Sequence, residues 1–184
     1  MLQYICNVFT GKDFKMYTYT KKAQSGRSMI EMLGILAIVG VLSAGGIAGY
    51  SMAMQSYKTT TLIEKINLIA QRARTTFKGT YSGLTAVTVL KDAGKISASD
   101  YANPFGGDIT AVGAASDFTM TAGNVPKEAC VDLLGTDWGS SGVFVSIQAG
   151  TNTAQTAARV AAGTAITQCN DGTKFTGTMT FKFK

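Results

Sequence analysis

The chain contains no histidine, so it lacks the side chain that most often serves as a general base and as a neutral metal ligand. Among the other residues, we find no nucleophile placed beside a base and no compact set of oxygen ligands. The sequence therefore predicts a protein that is not an enzyme and that has no metal site and no cofactor.

Charged residues and proline are both scarce. Only 15% of the residues are charged, against roughly 25% in an average domain, and there are two prolines. Such a low charge content points to a membrane segment or to extensive contacts between subunits. Residues 1–26 hold four lysines and one aspartate, which account for +3 of the net charge of +6. Because no basic run alternates with aromatic residues, we expect no nucleic-acid partner.

A long uncharged run follows the basic N-terminal segment. From Met32 to Tyr57 there is no charged residue, and Ile35–Ala48 consists mostly of Ile, Leu, Val, Ala and Gly. About 20 apolar residues in a helix are enough to cross a bilayer. This run therefore predicts a transmembrane helix.

The helical pattern continues beyond the uncharged run with one apolar stripe. No proline interrupts residues 28–78, so a single helix of roughly 50 residues is predicted, with Gly79 as its end. Its second half is amphipathic, since apolar residues recur at spacings of three and four between charged ones. The stripe consists of Leu62, Ile66, Ile69, Ala73 and Phe77.

Residues 79–184 have the composition of a globular α+β head. Alternating residues predict strands around Phe118 and Met120, at Val143, Val145 and Ile147, and at the C-terminus, where Phe175, Met179, Phe181 and Phe183 share one face. Short helices are predicted from Leu84 to Leu90 with Gly94 as a stop, from Pro126 to Leu134, and from Ala154 to Ala162. The fold class is thus α+β, with an antiparallel sheet that packs on the amphipathic half of the long helix.

One acidic residue stands at the start of the apolar helix. A basic stretch ends at Gly26, Arg27 follows, and Glu31 lies five residues after that glycine. A carboxylate at the edge of a membrane segment costs a few kcal/mol, so it generally has a partner or a function. If the chain is cut after Gly26, the new α-amino group of a neighbouring subunit is a suitable partner for Glu31.

The run from Lys21 to Leu33 resembles the prepilin signature of type IV pilins and pseudopilins. The resemblance implies cleavage between Gly26 and Arg27 by an inner-membrane prepilin peptidase, N-methylation of Arg27, and a role for Glu31 in assembly. The family usually has an apolar residue where Arg27 stands. The long leader, the stretch Asn103–Gly107 and the late cysteine pair are most similar to the type IVb branch.

This resemblance divides the chain into four parts. They are a cleaved leader (1–26), a transmembrane and assembly helix (27–54), an amphipathic helix half (55–78) and the head (79–184). The implied function is that of a structural subunit, which polymerises with copies of itself into an extracellular filament for adhesion, aggregation or conjugation. Its implied partners are the membrane, the prepilin peptidase and the inner-membrane assembly machinery, and its location is the inner membrane before assembly and the cell surface afterwards.

The three cysteines are consistent with export. Removal of the leader takes away Cys6 and leaves Cys130 and Cys169, an even number that favours a disulfide in an oxidising compartment. Such a bridge would tie the C-terminal strand region to the Pro126–Leu134 helix. The alternative is a pair of buried free thiols.

Other interpretations of the sequence stay open. The apolar run also fits a secretory signal peptide, cut after a small residue such as Ala44, and Met16 is a second candidate start. A pseudopilin of a type II secretion system shares the same N-terminus. A membrane-anchored periplasmic binding or hydrolytic domain is the alternative from another functional class.

The glycines of Gly40–Gly49 fit either close helix packing or local melting of the helix during assembly.

Overall fold

The computed structural model describes residues 29–139, 143–170 and 176–184. It divides at Gly45 into two units, and the packing described below belongs to the second unit, which begins at Gly46. The helices are α1 (Met29–Phe77), α2 (Thr88–Asp92), α3 (Ala98–Tyr101), α4 (Lys127–Gly135) and α5 (Ala162–Gln168), with one 3₁₀ turn at Tyr81–Gly83. The strands are β1 (Thr110–Gly113), β2 (Phe118–Pro126), β3 (Phe144–Ala149) and β4 (Thr176–Phe183).

Helix α1 is continuous over 49 residues, which confirms the predicted single helix. It ends where the sequence predicts, because Lys78 and Gly79 both adopt positive φ angles, of 50° and 92°. This left-handed backbone carries the chain out of the helix, and glycine adopts it without a steric penalty.

The apolar stripe of α1 is buried as predicted. Leu62, Ile66, Ile69 and Ala73 have no exposed surface, and Phe77 is partly buried against the same core. Because residues three and four apart share one face of a helix, these side chains form a single seam.

The seam of α1 shares one core with an antiparallel four-stranded sheet of order β1-β2-β4-β3. Met120 on β2 lies opposite Phe181 on β4, which in turn lies opposite Ile147 on β3. All three side chains are fully buried. The predicted α+β fold with the amphipathic helix half on the sheet is therefore confirmed.

The C-terminal strand confirms its alternating pattern. Met179, Phe181 and Phe183 are buried, whereas Thr180 and Lys182 are only half-buried. Phe175, the first predicted member of the buried face, lies outside the described residues.

The predicted helix from Ala154 to Ala162 is wrong. Gln155 instead exchanges two backbone hydrogen bonds with Ile147 on β3, at 2.9 and 2.7 Å, and α5 begins only at Ala162. The prediction rested on the helix propensity of alanine, which is a weak preference that tertiary hydrogen bonds override.

The strand predicted at Val143, Val145 and Ile147 is present as β3, but its side chains do not alternate regularly. The register shifts between Phe144 and Ser146, so that Phe144 and Ile147 point into the core while Val145 is half-buried. An irregularity of this kind breaks the period of two on which the prediction depended.

The predicted helix around Leu84–Leu90 is only partly right. Leu84 follows the 3₁₀ turn, α2 starts at Thr88, and Gly94 ends the segment with a φ of 67° as expected. The Pro126–Leu134 prediction agrees with α4, although Pro126 occupies the N-cap rather than the first helical turn.

Backbone hydrogen bonds also engage both outer strands of the sheet. On β1 the N–H of Gly113 donates to the carbonyl oxygen of Leu84 at 2.7 Å, and β3 holds Gln155 through the two bonds described above.

Candidate assembly surfaces

Glu31 lies in the first turn of α1, and its side chain is exposed. The free N–H groups at the start of a helix favour a negative charge there. Glu31 is also the only charged residue between Met29 and Tyr57. Gly26 and Arg27, the predicted cleavage and methylation residues, lie outside the described residues. Processing and the role of Glu31 in assembly therefore stay predictions.

Residues 29–57 of α1 expose large apolar side chains on all sides, and we call this the apolar helix surface. Val41, for example, is 74% exposed. Fourteen of the sixteen exposed large apolar side chains in the described residues belong to this surface. The helix is also long and apolar enough to cross a membrane. So large an exposed patch requires lipid or protein to cover it.

Packing among the described residues does not explain the glycines of this segment. Apart from the adjacent backbone of the helix, a Cβ atom added at any of them would meet no described atom within 4 Å. Glycine also weakens a helix by about 1 kcal/mol relative to alanine. Their roles, in close packing between copies or in local melting, stay predictions. The glycines are Gly34, Gly40, Gly45, Gly46 and Gly49.

The predicted disulfide is present. Cys130 and Cys169 are bonded and fully buried, and their Cα atoms lie 5.9 Å apart. The bridge joins α4 to the residue that caps the end of α5, rather than to the C-terminal strand region. The sequence missed this detail because it placed the last short helix too early.

The loop Asn103–Gly107 is fixed to strand β2 through its own side chain. Asn103 is only 6% exposed. Its Nδ2 donates to the carbonyl oxygen of Gly123 at 2.6 Å, and its Oδ1 accepts from the N–H of Phe105 at 3.0 Å. A buried amide with both ends bonded holds the two segments in one geometry.

Two further side chains bond to this loop and to the residues just before it. Asn124, at an irregularity in β2 and with a φ of 57°, donates from Nδ2 to the carbonyl oxygen of Gly106 at 3.3 Å. Lys65 of α1 donates from Nζ to the carbonyl oxygens of Ala102, at 2.8 Å, and Ser99, at 2.5 Å. Asn103 and Asn124 thus tie the loop to the sheet, and Lys65 ties the residues just before the loop to α1.

Comparison with known proteins decides the family. The family model described as PilS N terminal matches residues 56–182. The chain belongs to this family of type IV pilins. The toxin coregulated pilin of Vibrio cholerae serotype O1 is 28% identical over 167 residues, which cover 81% of this pilin and 73% of that protein. The major structural subunit of the bundle-forming pilus of Escherichia coli O111:H- is 29% identical over 171 residues, covering 83% of this pilin and 88% of that protein.

The fold comparison agrees with the sequence comparison. The crystal structure of TcpA, a type IV pilin from Vibrio cholerae El Tor biotype, matches with a TM-score of 0.50 and 16% identity over 68% of this pilin and 98% of that chain. The predicted resemblance to type IV pilins, and to their type IVb branch in particular, is confirmed.

The sequence did not predict a groove that lies beside α1 of the pilin. An open groove of about 400 Å³ lies between α1 and the neighbouring loop and strand. Tyr50, Met54 and Lys58 line it on the helix side, and Phe105 and Pro126 line it on the other. These residues are distant in sequence, so only the fold brings them together.

Close to this groove, α1 and α4 are linked by a polar contact. The Nε2 atom of Gln55 donates to Oε2 of Glu128 at 3.2 Å. The pKa of Glu128 is lowered from its ordinary value, first by a hydrogen bond from its own backbone N–H and then by the amide of Gln55. In residues 29–139, 143–170 and 176–184, cysteine and acidic side chains form no group of three that could hold a metal ion.

Proposed function

We propose that this pilin is the structural subunit of a type IVb pilus, polymerises into an extracellular filament and catalyses no reaction. The observation that carries the proposal is the apolar helix surface, which is far too large to face water. Lipid covers this surface while the subunit waits in the inner membrane, and other copies cover it in the filament. The relatives, a toxin coregulated pilin and a subunit of a bundle-forming pilus, support this assignment.

Processing precedes assembly in this proposal. The prepilin peptidase removes residues 1–26 by cutting between Gly26 and Arg27, and the new amino group of Arg27 is methylated. The inner-membrane assembly machinery then draws the α1 helices together into a central bundle, with the heads outward.

Glu31 fixes the axial register of the bundle. Its carboxylate is costly in an apolar setting unless an opposite charge lies beside it. Within one chain the helix separates Glu31 from the amine of Arg27, whereas the amine of a neighbouring copy is free to approach it. An arriving subunit therefore docks where this pair forms.

The test compares three chains in cells that lack other pilins: the wild type, Glu31→Ala, and Asp92→Ala, which removes an exposed head carboxylate. Electron microscopy and N-terminal sequencing are applied to each. We expect wild-type and Asp92→Ala fibres whose subunits begin at Arg27. Glu31→Ala should be cut at the same bond but form no fibres.

The other outcomes are equally informative. Fibres from Glu31→Ala would contradict the register role, and a different N-terminus would contradict the processing site. A correctly cut wild-type chain without surface fibres would indicate a pseudopilin. An uncut, monomeric chain would indicate an anchored periplasmic domain.

A further inference from the structure

The groove beside α1 is mostly apolar. Tyr50, Met54, Phe105 and Pro126 supply most of its lining, and among the described residues that line it only Lys58, which is half-buried, is charged. With a volume of about 400 Å³, it has room for a few aliphatic side chains but not for a whole helix.

The far wall of the groove is held open by dedicated contacts. The N–H of Phe105 donates to buried Asn103, Asn124 donates to Gly106 within the loop, and Lys65 donates to Ala102 directly before it. Because buried polar side chains are maintained only with satisfied hydrogen bonds, this wall is a built feature of the fold.

The pilin itself carries the surface that best fits such a groove. Among the described residues of the head, only Val112 and Ile166 are large, apolar and exposed, whereas fourteen such side chains lie on the apolar helix surface. The segment Met32–Tyr57 has no charge, so it brings no group that needs a counter-ion. Lys58 can lie along an apolar occupant and extend its ammonium group into water.

The groove is also continuous with the surface that assembly covers. Tyr50 is 67% exposed, lines the groove, and belongs to the apolar helix surface. A neighbouring helix that covers Tyr50 thus reaches the mouth of the groove without further rearrangement.

We propose that the groove receives apolar side chains from residues 32–52 of α1 of a second copy. This inference rests on the proposed filament function and adds a contact between a head and a neighbouring helix to the contacts within the helix bundle. The second helix lies across the opening and inserts aliphatic side chains between Met54 and Phe105.

The test is photocrosslinking in intact pili. Phe105 is replaced by the photoreactive residue p-benzoylphenylalanine in the full chain, and the same probe at Val112, on the outer strand β1, serves as the control. Mass spectrometry should find the Phe105 probe attached to a peptide from residues 32–52 of a second copy, and the Val112 probe should not reach that segment. Pili in which the Phe105 probe attaches only to head residues, to lipid, to another protein or to nothing would overturn the proposal.

If the bulky photoreactive residue at position 105 blocks assembly, a second variant tests the groove contact. Met54→Trp fills the groove from the helix side, and Val112→Trp adds the same bulk elsewhere. We expect Met54→Trp to lose most of its fibre mass while cleavage and the unfolding midpoint stay unchanged, and Val112→Trp to assemble normally. Normal fibres from Met54→Trp would refute the groove contact. Absence of fibres from the wild type would instead refute the filament function itself.

Discussion

The backbone at Gly113 lies so close to the carbonyl group of Tyr81 that a Cβ atom at this position would overlap it. The N–H of Gly113 also donates to the carbonyl oxygen of Leu84 at 2.7 Å, which brings the chain after α1 against strand β1. Tyr81 in turn packs on Phe118, with ring centroids 4.7 Å apart. Position 113 requires glycine because any larger side chain would collide with Tyr81, and not because the backbone adopts a positive φ angle.

Gly113→Ala should therefore lower the free energy of unfolding by about 3 kcal/mol, the upper end of the range for overpacking, because the obstructing atoms belong to the backbone. Trp138 is the only tryptophan and is buried, so its fluorescence in urea reports the transition. Gly123→Ala is the matched control, since a Cβ there meets nothing within 4 Å. Equal stabilities of the two variants would contradict this account.

The disulfide gives a second prediction. Cys130 and Cys169 are 39 residues apart, and a loop of that size stabilises the fold by about 4 kcal/mol on the chain-entropy model. We expect the Cys130→Ala/Cys169→Ala chain to unfold at a much lower urea concentration than the wild type. Alkylation of the mature wild type without reductant should label no thiol, and labelling of both cysteines would show that the bridge does not form in cells.

Acid should weaken the link between α1 and α4. Because the pKa of Glu128 in the folded state lies below its ordinary value of 4.5, its contribution is complete above pH 4.5 and is lost as the pH falls through the lowered pKa. The side chain is exposed, so the contribution is a few tenths of a kcal/mol. The stability difference between wild type and Glu128→Gln should shrink between pH 5 and pH 2.

Gln55→Ala tests the cause of this pH dependence, because it removes one of the two hydrogen bonds that lower the pKa of Glu128. The acid-dependent difference should be smaller in this background. A difference that persists unchanged would assign the whole effect to the start of α4 and its backbone N–H groups.

The glycines of α1 allow assembly to be separated from folding. Alanine at Gly45 and Gly49 should raise the stability of the helix by about 1 kcal/mol each, because no contact opposes the added methyl groups. If this segment melts in the filament, the double variant should fold and be cut normally but yield few fibres. An unbroken helix through Gly40–Gly49 in a map of wild-type pili would exclude melting.

The parts of the fold that could be predicted are those with a strong local period. Leu62, Ile66 and Ile69 repeat at the spacing of a helix, and Met179 and Phe181 at that of a strand. The helix pattern extends over several turns and the strand pattern over several alternating positions. A single residue that does not fit therefore leaves either pattern recognisable.

The features that were missed depend on contacts between distant residues. Strand β1 has only four residues, too few for a clear alternating pattern. Gln155 lies in an alanine-rich segment that favours a helix, but its backbone bonds to Ile147 hold it in an extended conformation instead. The groove needs Tyr50 and Phe105 side by side, which no local pattern encodes. Glu31 is conspicuous in the sequence as an isolated charge at the start of an apolar run, and its role in assembly stays a prediction.

The backbone bonds on the outer strands have a consequence for how two copies of this pilin can meet. Strand β1 is engaged by Leu84 and β3 by Gln155, so these parts of the sheet offer fewer unpaired N–H and C=O groups to a passing copy. Open strands invite amyloid-like pairing. Because these groups are already bonded, two heads are less prone to join edge to edge, and the apolar helix surface stays the larger surface available for association.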